Sequence, residues 1–308
     1  MKPLAGARHL SAYQGQPCID LFLLQGDRVR IAQHGAHILS WVTSDGCERL
    51  YLSPQASIDG VSPIRGGVPL CFPQFNERAL GAQALPKHGF ARTQPWVLRE
   101  VEQTADRAHA SFSLDSNAQT LALWPNSFSA ICTVELEPDR LCVKFAVRNT
   151  GDVIWRFAVA LHTYLRVDDI GRTDLEGLKA APYWDAVLHQ TQPDLRLRDN
   201  ADSLRFASEI DRVYAHPRTP LMLKHLGGWV QIEQSPTLPE VVVWNPGAVK
   251  CASLADMPPE GFKHMLCVEA ARIQTPQILL PTDTWRGWQS FRALPRPAPV
   301  PASAYSPL

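Results

Sequence analysis

Phe128-Ser129-Ala130-Ile131-Cys132-Thr133-Val134-Glu135-Leu136 runs into Glu137-Pro138-Asp139-Arg140 and on into Leu141-Cys142-Val143-Lys144-Phe145-Ala146-Val147-Arg148. In the last segment Leu141, Val143, Phe145 and Val147 alternate with Cys142, Lys144, Ala146 and Arg148. That period of two is the mark of a half-buried strand. The first segment reads as its hairpin partner, and the Pro138-Asp139 step supplies the turn. Outward from this pair, short strands are expected at 28–33, 37–43, 49–52, 97–102, 109–114, 155–166, 229–234, 241–244, 265–273 and 284–292. Twenty-six prolines and eighteen glycines punctuate them, and no helical period recurs. The fold class is therefore all-β, an antiparallel sandwich or barrel. One short helix is expected over 115–123, capped by Asp115 or Ser116.

A chain of 308 residues, 45% hydrophobic, can bury a sizeable core. One domain is expected over 1–294, with a proline- and alanine-rich tail over 295–308 running extended. Thirty basic and thirty acidic side chains leave no net charge to attract nucleic acid or an anionic membrane. No apolar run is long enough to span a bilayer, and Met1–Arg8 lacks the apolar stretch of a secretory signal. The seven cysteines form no C-x-x-C pair, which suits buried thiols in a reducing cytoplasm better than a disulfide frame or zinc site.

Several segments could carry chemistry. Arg65 stands beside Gly66-Gly67 in a proline-stiffened loop, where glycine permits close backbone approach and arginine offers a fork for phosphate or carboxylate. The same residues could equally form a tight turn with a solvated arginine. Lys87, His88 and Arg92 cluster around Gly89 and could form half of an anion site, or an ordinary polar loop. Two such loops in a neutral protein suggest a small anionic ligand. On the 155–164 strand, Trp155, Phe157, Val159 and Leu161 share one face, and Arg156, Ala158, Ala160, His162 and Tyr164 the other. The small alanines leave open space beside His162, although a histidine there could also be a satisfied core residue. Glu269 sits mid-strand among residues apolar on both faces, which is costly unless the carboxylate is paired or its pKa is raised. Asp211-Arg212 and Asp168-Asp169 read as loop-like acidic positions, the latter able to bind a cation but fitting a solvated turn better. His34 and His37 are three apart, too badly disposed on a strand to share a metal.

Taken in order, Ile64-Arg65-Gly66-Gly67-Val68-Pro69, Lys87-His88-Gly89-Phe90-Ala91-Arg92, Leu123-Trp124-Pro125, Leu161-His162-Thr163-Tyr164, Ile210-Asp211-Arg212-Val213-Tyr214, Val242-Val243-Trp244-Asn245-Pro246 and Cys267-Val268-Glu269 resemble the glucose-6-phosphate 1-epimerase branch of the aldose 1-epimerase superfamily. The likeness covers roughly residues 20 to 292. It implies a galactose mutarotase-like β-supersandwich with an open concave sugar-binding face. It also implies an isomerase that interconverts α and β anomers of a hexose 6-phosphate, glucose 6-phosphate before others. His162 and Glu269 match the catalytic pair, Arg65 and Arg92 the phosphate-side arginines, and Asp211 a sugar ligand, with His88 beside them. Lys87 departs from the glutamine usual there, which would add positive charge near phosphate or alter a sugar contact. Ala270-Ala271-Arg272 after the glutamate also departs from the usual local sequence.

The chemistry fits that assignment. Anomer exchange removes a proton from the anomeric hydroxyl and delivers one to the ring oxygen, so one carboxylate and one imidazole suffice without metal or other cofactor. The expected partner is a small hexose phosphate, with no nucleic acid or membrane, for a cytoplasmic monomer or weak homo-oligomer. Two other functions compete. One is a mutarotase for unphosphorylated aldoses, against which the basic loops weigh. The other is a non-catalytic carbohydrate-binding or sugar-sensing sandwich. A glycosidase fits less well, since hydrolysis usually takes two carboxylates.

Overall fold

Leu141, Val143, Phe145 and Val147 all point inward, as their alternation requires, and meet Phe157, Val159, Leu161, Val268 and Ala270 from a facing sheet. The computed structural model describes residues 9–77, 85–188, 197–217 and 220–295. Within them the hairpin expected at 128–148 forms with Phe128–Glu137 paired to Arg140–Asn149, and Asp139 takes the left-handed turn conformation at φ 53°. It belongs to a nine-stranded sheet in the order Ser203–Arg205, Asp174–Glu176, Leu221–His225, Gly228–Gln234, Thr284–Leu294, Arg140–Asn149, Phe128–Glu137, Ala108–Asp115 and Val97–Gln103.

The facing eight-stranded sheet runs Leu197–Arg198, Pro182–Asp185, Ile210–Ala215, Glu240–Asn245, Met265–Leu279, Trp155–Leu161 and Leu70–Cys71, with Tyr164–Arg166 also paired to the 265–279 strand. A four-stranded sheet of Leu10–Tyr13, Gln16–Phe22, Arg28–Ala32 and His37–Val42 adds Ile19, Leu21, Val29 and Ile31 to the same core. Neighbouring strands in all three sheets pair antiparallel. The all-β expectation holds.

The eight-stranded sheet is apolar on both faces, and the two faces differ in use. Its inner face carries the main core. Its outer face carries two small clusters: Cys71, Phe75, Ala158, Ala160, Val213, Val242, Ala271 and Ile273 in one, and Tyr51, Tyr164, Cys251, Met257, Met265 and Cys267 in the other. On the 265–279 strand Cys267 belongs to the second and Ala271 to the first, so Glu269 falls at the seam between them.

Four expectations need correction. The strand expected over 155–166 is split: Trp155–Leu161 and Tyr164–Arg166 flank a break at His162-Thr163. Segment 49–52 is no strand and makes only isolated bridges from Leu50 to Leu165 and from Leu52 to Gly66. The helix is Ala118–Leu123, capped by Asn117, whose side chain accepts from the Gln119 and Thr120 N–H groups; Asp115 ends a strand instead. Of the seven cysteines, all free, six are buried as expected but Cys47 is exposed. Strands at 10–13, 16–22, 174–176 and 221–225 and a helix at Gly247–Ala252 add to the expected set. From residue 296 onward the tail lies outside the described residues. Among the described residues no helix is long and apolar enough to cross a membrane.

Candidate active site

Arg65, Lys87, His88, Arg92, His162, Asp211 and Glu269 line one cavity of about 160 Å³ on the outer face of the eight-stranded sheet. The sequence scatters them over more than two hundred residues; the fold brings all seven together. A cavity of this size suits one sugar ring better than an oligosaccharide. A larger groove of about 780 Å³ lies on the nine-stranded sheet around Lys144, Arg286 and Trp288 and contains none of the seven.

His162 and Glu269 come from adjacent segments. After Leu161 the strand leaves the ladder, and the His162 N–H donates to the Pro69 carbonyl at 2.9 Å. His162 Nδ1 then stands 3.2 Å from Glu269 Oε1. The contact is not aligned as a hydrogen bond, and Nδ1 and both carboxylate oxygens have no hydrogen-bond partner among the described residues. Both residues are buried, Glu269 at 0% exposure. Burial and the charge of Asp211 hold the Glu269 carboxyl well above its ordinary value. Burial, with His88, Arg92 and Arg65 nearby, holds His162 well below its own. Each side chain is thus biased toward its neutral form. A buried, unpartnered acid–base pair at a cavity floor is costly to folding and suited to proton exchange.

His88 occupies the left-handed region at φ 64°, an unusual conformation for a residue with a Cβ. Gly89, at φ 72°, follows it, and a Cβ there would collide with the Phe72 carbonyl. This tight turn packs the His88 ring edge-on to His162, with centroids 5.4 Å apart. Asn76 N–H donates to His88 Nδ1 at 3.2 Å, so the proton of the neutral ring sits on Nε2. Burial and the cations Arg92, Lys87 and Arg65 push His88 down to about 2, so that ring stays neutral.

The cations are not equally free. Arg65 donates from Nε to Asp256 at 3.1 Å and from Nη1 to the Tyr164 hydroxyl at 3.0 Å. Arg92 donates from Nη2 to the Lys87 carbonyl at 2.8 Å, while its buried Nε has no partner among the described residues. Lys87 itself is exposed at the rim. Asp211 faces the cavity from the 210–215 strand, and burial pushes it up to about 6, with Lys250 and Lys87 pulling the other way. The other acidic and histidine positions are structural. Asp168 pairs with His225 at 3.0 Å and Asp169 caps a short 3-10 turn, so this is not simply a solvated turn. His34 and His37 bond separately to the Ser62 and Gly66 carbonyls.

Sequence reasoning missed Lys250, Asp256 and Asn76. Lys250 lines the cavity from the Gly247–Ala252 helix and pairs with Glu209 at 2.6 Å. That helix of six residues is too short to leave a periodic trace. Asp256 lies on a loop, and only its partner Arg65 gives it meaning.

The aldose 1-epimerase family pattern matches residues 20–292. A relative from Cenchrus ciliaris that bears the name "Putative glucose-6-phosphate 1-epimerase" is 31% identical over 289 residues, 90% of this chain and 85% of its own. The crystal structure of a "putative mutarotase (YeaD)" from Salmonella typhimurium superposes with a TM-score of 0.84 at 27% identity, covering 93% of both chains. The galactose 1-epimerase of Lactobacillus acidophilus shares the fold at a TM-score of 0.70 and 14% identity, over 92% of this chain and 97% of its own. With this fold and a family match over nearly the whole described chain, the protein belongs to the aldose 1-epimerase family and is an isomerase of sugar anomers.

Proposed function

We propose that the substrate is a hexose 6-phosphate, glucose 6-phosphate before others, and that His162 and Glu269 exchange the protons that open and close its ring. One observation carries this reading: three cationic side chains, Arg65, Lys87 and Arg92, border the same small cavity that holds the unpartnered acid–base pair. One member of the pair takes the proton of the anomeric hydroxyl while the other gives one to the ring oxygen. The ring opens to the aldehyde, the C1–C2 bond turns, and closure with the roles reversed yields the other anomer. His88, held neutral with its proton on Nε2, can only donate from that atom and so suits a sugar oxygen. Asp211 is placed to accept from sugar hydroxyls.

The phosphate would also act on the pair. The charges of Arg65 and Arg92 help hold His162 neutral. A bound phosphate, carrying about −1.5 to −2, offsets those charges and so favours a protonated His162 more than the empty site does.

A second reading, a mutarotase for unphosphorylated aldoses, draws on the engagement of Arg65 by Asp256 and Tyr164, which leaves that fork only partly free. Polarimetry or exchange NMR with glucose and glucose 6-phosphate, above the spontaneous rate, separates the two. A kcat/KM higher for the phosphorylated sugar supports the proposal; equal values or a preference for free glucose overturn it. Binding without acceleration of either would return the protein to a sugar-sensing role.

A further inference from the structure

Gln289 is the one polar side chain in the inward row Trp285, Gly287, Gln289, Phe291 and Ala293 of the 284–294 strand, and it is fully buried. It reaches across the core to the facing sheet. Its Oε1 accepts from Thr163 Oγ1 at 3.0 Å, and its Nε2 donates to the Val268 carbonyl at 3.0 Å. The Val268 N–H donates to the Thr163 carbonyl at 3.1 Å, which closes a ring of three hydrogen bonds. Thr163 directly follows His162, and Val268 directly precedes Glu269. A single amide therefore grips the chain beside both members of the candidate pair.

The ladder explains why an amide is needed there. Strand pairing between 155–161 and 265–279 stops at Leu161–Ala270 and resumes at Tyr164–Cys267. In the register of the flanking pairs His162 falls opposite Glu269 and Thr163 opposite Val268. The Thr163 N–H instead donates to the Leu161 carbonyl at 2.9 Å, which strips the Val268 carbonyl of its regular ladder donor on that side. A buried carbonyl without a partner is costly. Gln289 supplies the missing donor from the opposite sheet, and its own oxygen is satisfied by the Thr163 hydroxyl.

We infer that Gln289, acting through Thr163 and Val268, is a positioning residue that sets the separation and angle between His162 and Glu269. The inference rests on the proposed roles of that pair. A displacement on the order of 1 Å at a reacting group can cost about a hundredfold in rate.

The test uses the full chain. Gln289→Met keeps the length of the side chain and removes both hydrogen bonds. It should lower kcat on glucose 6-phosphate roughly 10- to 100-fold while KM stays within about twofold, in a protein shown to be folded by near-ultraviolet circular dichroism. Thr163→Val and Thr163→Ser test the same contact from its other end. Serine keeps the hydroxyl and should hold kcat near wild type, whereas valine should lower it. The double variant Gln289→Met with Thr163→Val should lose little more than the worse single. Near-wild-type kcat in folded Gln289→Met overturns the inference, as do equal kcat values for the two Thr163 variants. Should Gln289→Met fail to fold, the Thr163 pair decides. Wild-type turnover in His162→Asn and Glu269→Gln would instead overturn the reading of the site itself.

Discussion

The His162 imidazole lies flat against the Tyr164 ring, with centroids 4.9 Å apart and planes 8° from parallel. The Tyr164 hydroxyl accepts from Arg65 Nη1 at 3.0 Å. One residue intervenes between them, so both side chains stay on the outer face across the break at 162–163. The cationic rim and the imidazole at the cavity floor thus share a rigid aromatic support, and what engages Arg65 is felt one ring away from His162.

His162→Asn and Glu269→Gln keep approximate shape and remove proton exchange. Each should lower kcat by roughly 10²–10⁴-fold on glucose 6-phosphate, with substrate affinity retained because the cations lie on other segments. The double variant should lose much less than the product of the singles, since neither residue is useful without the other. Near-wild-type turnover in a folded single variant would remove that residue from the mechanism.

Arg65→Ala and Arg92→Ala should each lower kcat/KM for the phosphorylated sugar about 10- to 150-fold, the loss of a charge-assisted contact worth roughly 1.5–3 kcal/mol. Residual activity on free glucose should barely move. Lys87→Gln should weaken phosphate selectivity less, because this lysine is exposed at the rim. Parallel losses on both sugars would assign the arginines to structure.

His162 is depressed below 6.5 by burial and nearby cations, and Glu269 is raised above 4.5 by burial and Asp211. The two titrations therefore move toward each other from their ordinary values of about 6.5 and about 4.3, and the pH profile should depart from the bell those values would give. Histidine NMR of the free protein should show His162 neutral at about pH 6. Asp211, at about 6, adds an inflection in KM that Asp211→Asn should abolish. An imidazolium at His162 in the free protein at that pH would contradict the electrostatic account.

Glu269→Gln should stabilise the protein. A folded-state pKa raised above the unfolded one means that the contribution of the carboxyl is most favourable below the unfolded value and is lost as pH rises through the folded value. The gain in melting temperature from glutamine should therefore be small in acid and grow toward alkaline pH. It reflects removal of the penalty for ionising a buried carboxyl. A variant less stable than wild type at alkaline pH would mean that the carboxylate has a stabilising partner.

Much of this was readable in the sequence, and the reason differs by residue. Strict alternation across 128–148 is a local signal, and the hairpin followed directly. The alanines at 158 and 160 suggested open space beside His162, but both are buried in the apolar cluster with Phe75 and Val242, and the cavity opens beside them instead. The break at 162–163 was not readable: the groups that satisfy it, the Pro69 carbonyl and Gln289, come from distant parts of the chain. Segment 49–52 has strand-like composition but finds only isolated bridges. Asn117 displaced Asp115 as cap because the sheet keeps Asp115 in its ladder with Ser129. Lys250 sits on a six-residue helix and Asp256 on a loop, both too short to leave a periodic signal in the sequence.

The outer and inner faces of the 265–279 and 155–161 strands answer to different demands, and this matters for remaking the enzyme. Inward residues such as Val268, Ala270 and Val159 hold the sheets together, whereas Lys87 and Lys250 line the cavity from a loop and a short helix, and Asp256 reaches it only through Arg65. A combinatorial library confined to those three positions can explore new anionic or neutral sugars while the apolar core between the sheets keeps its residues. Specificity in this scaffold can drift rapidly around a floor that hardly changes.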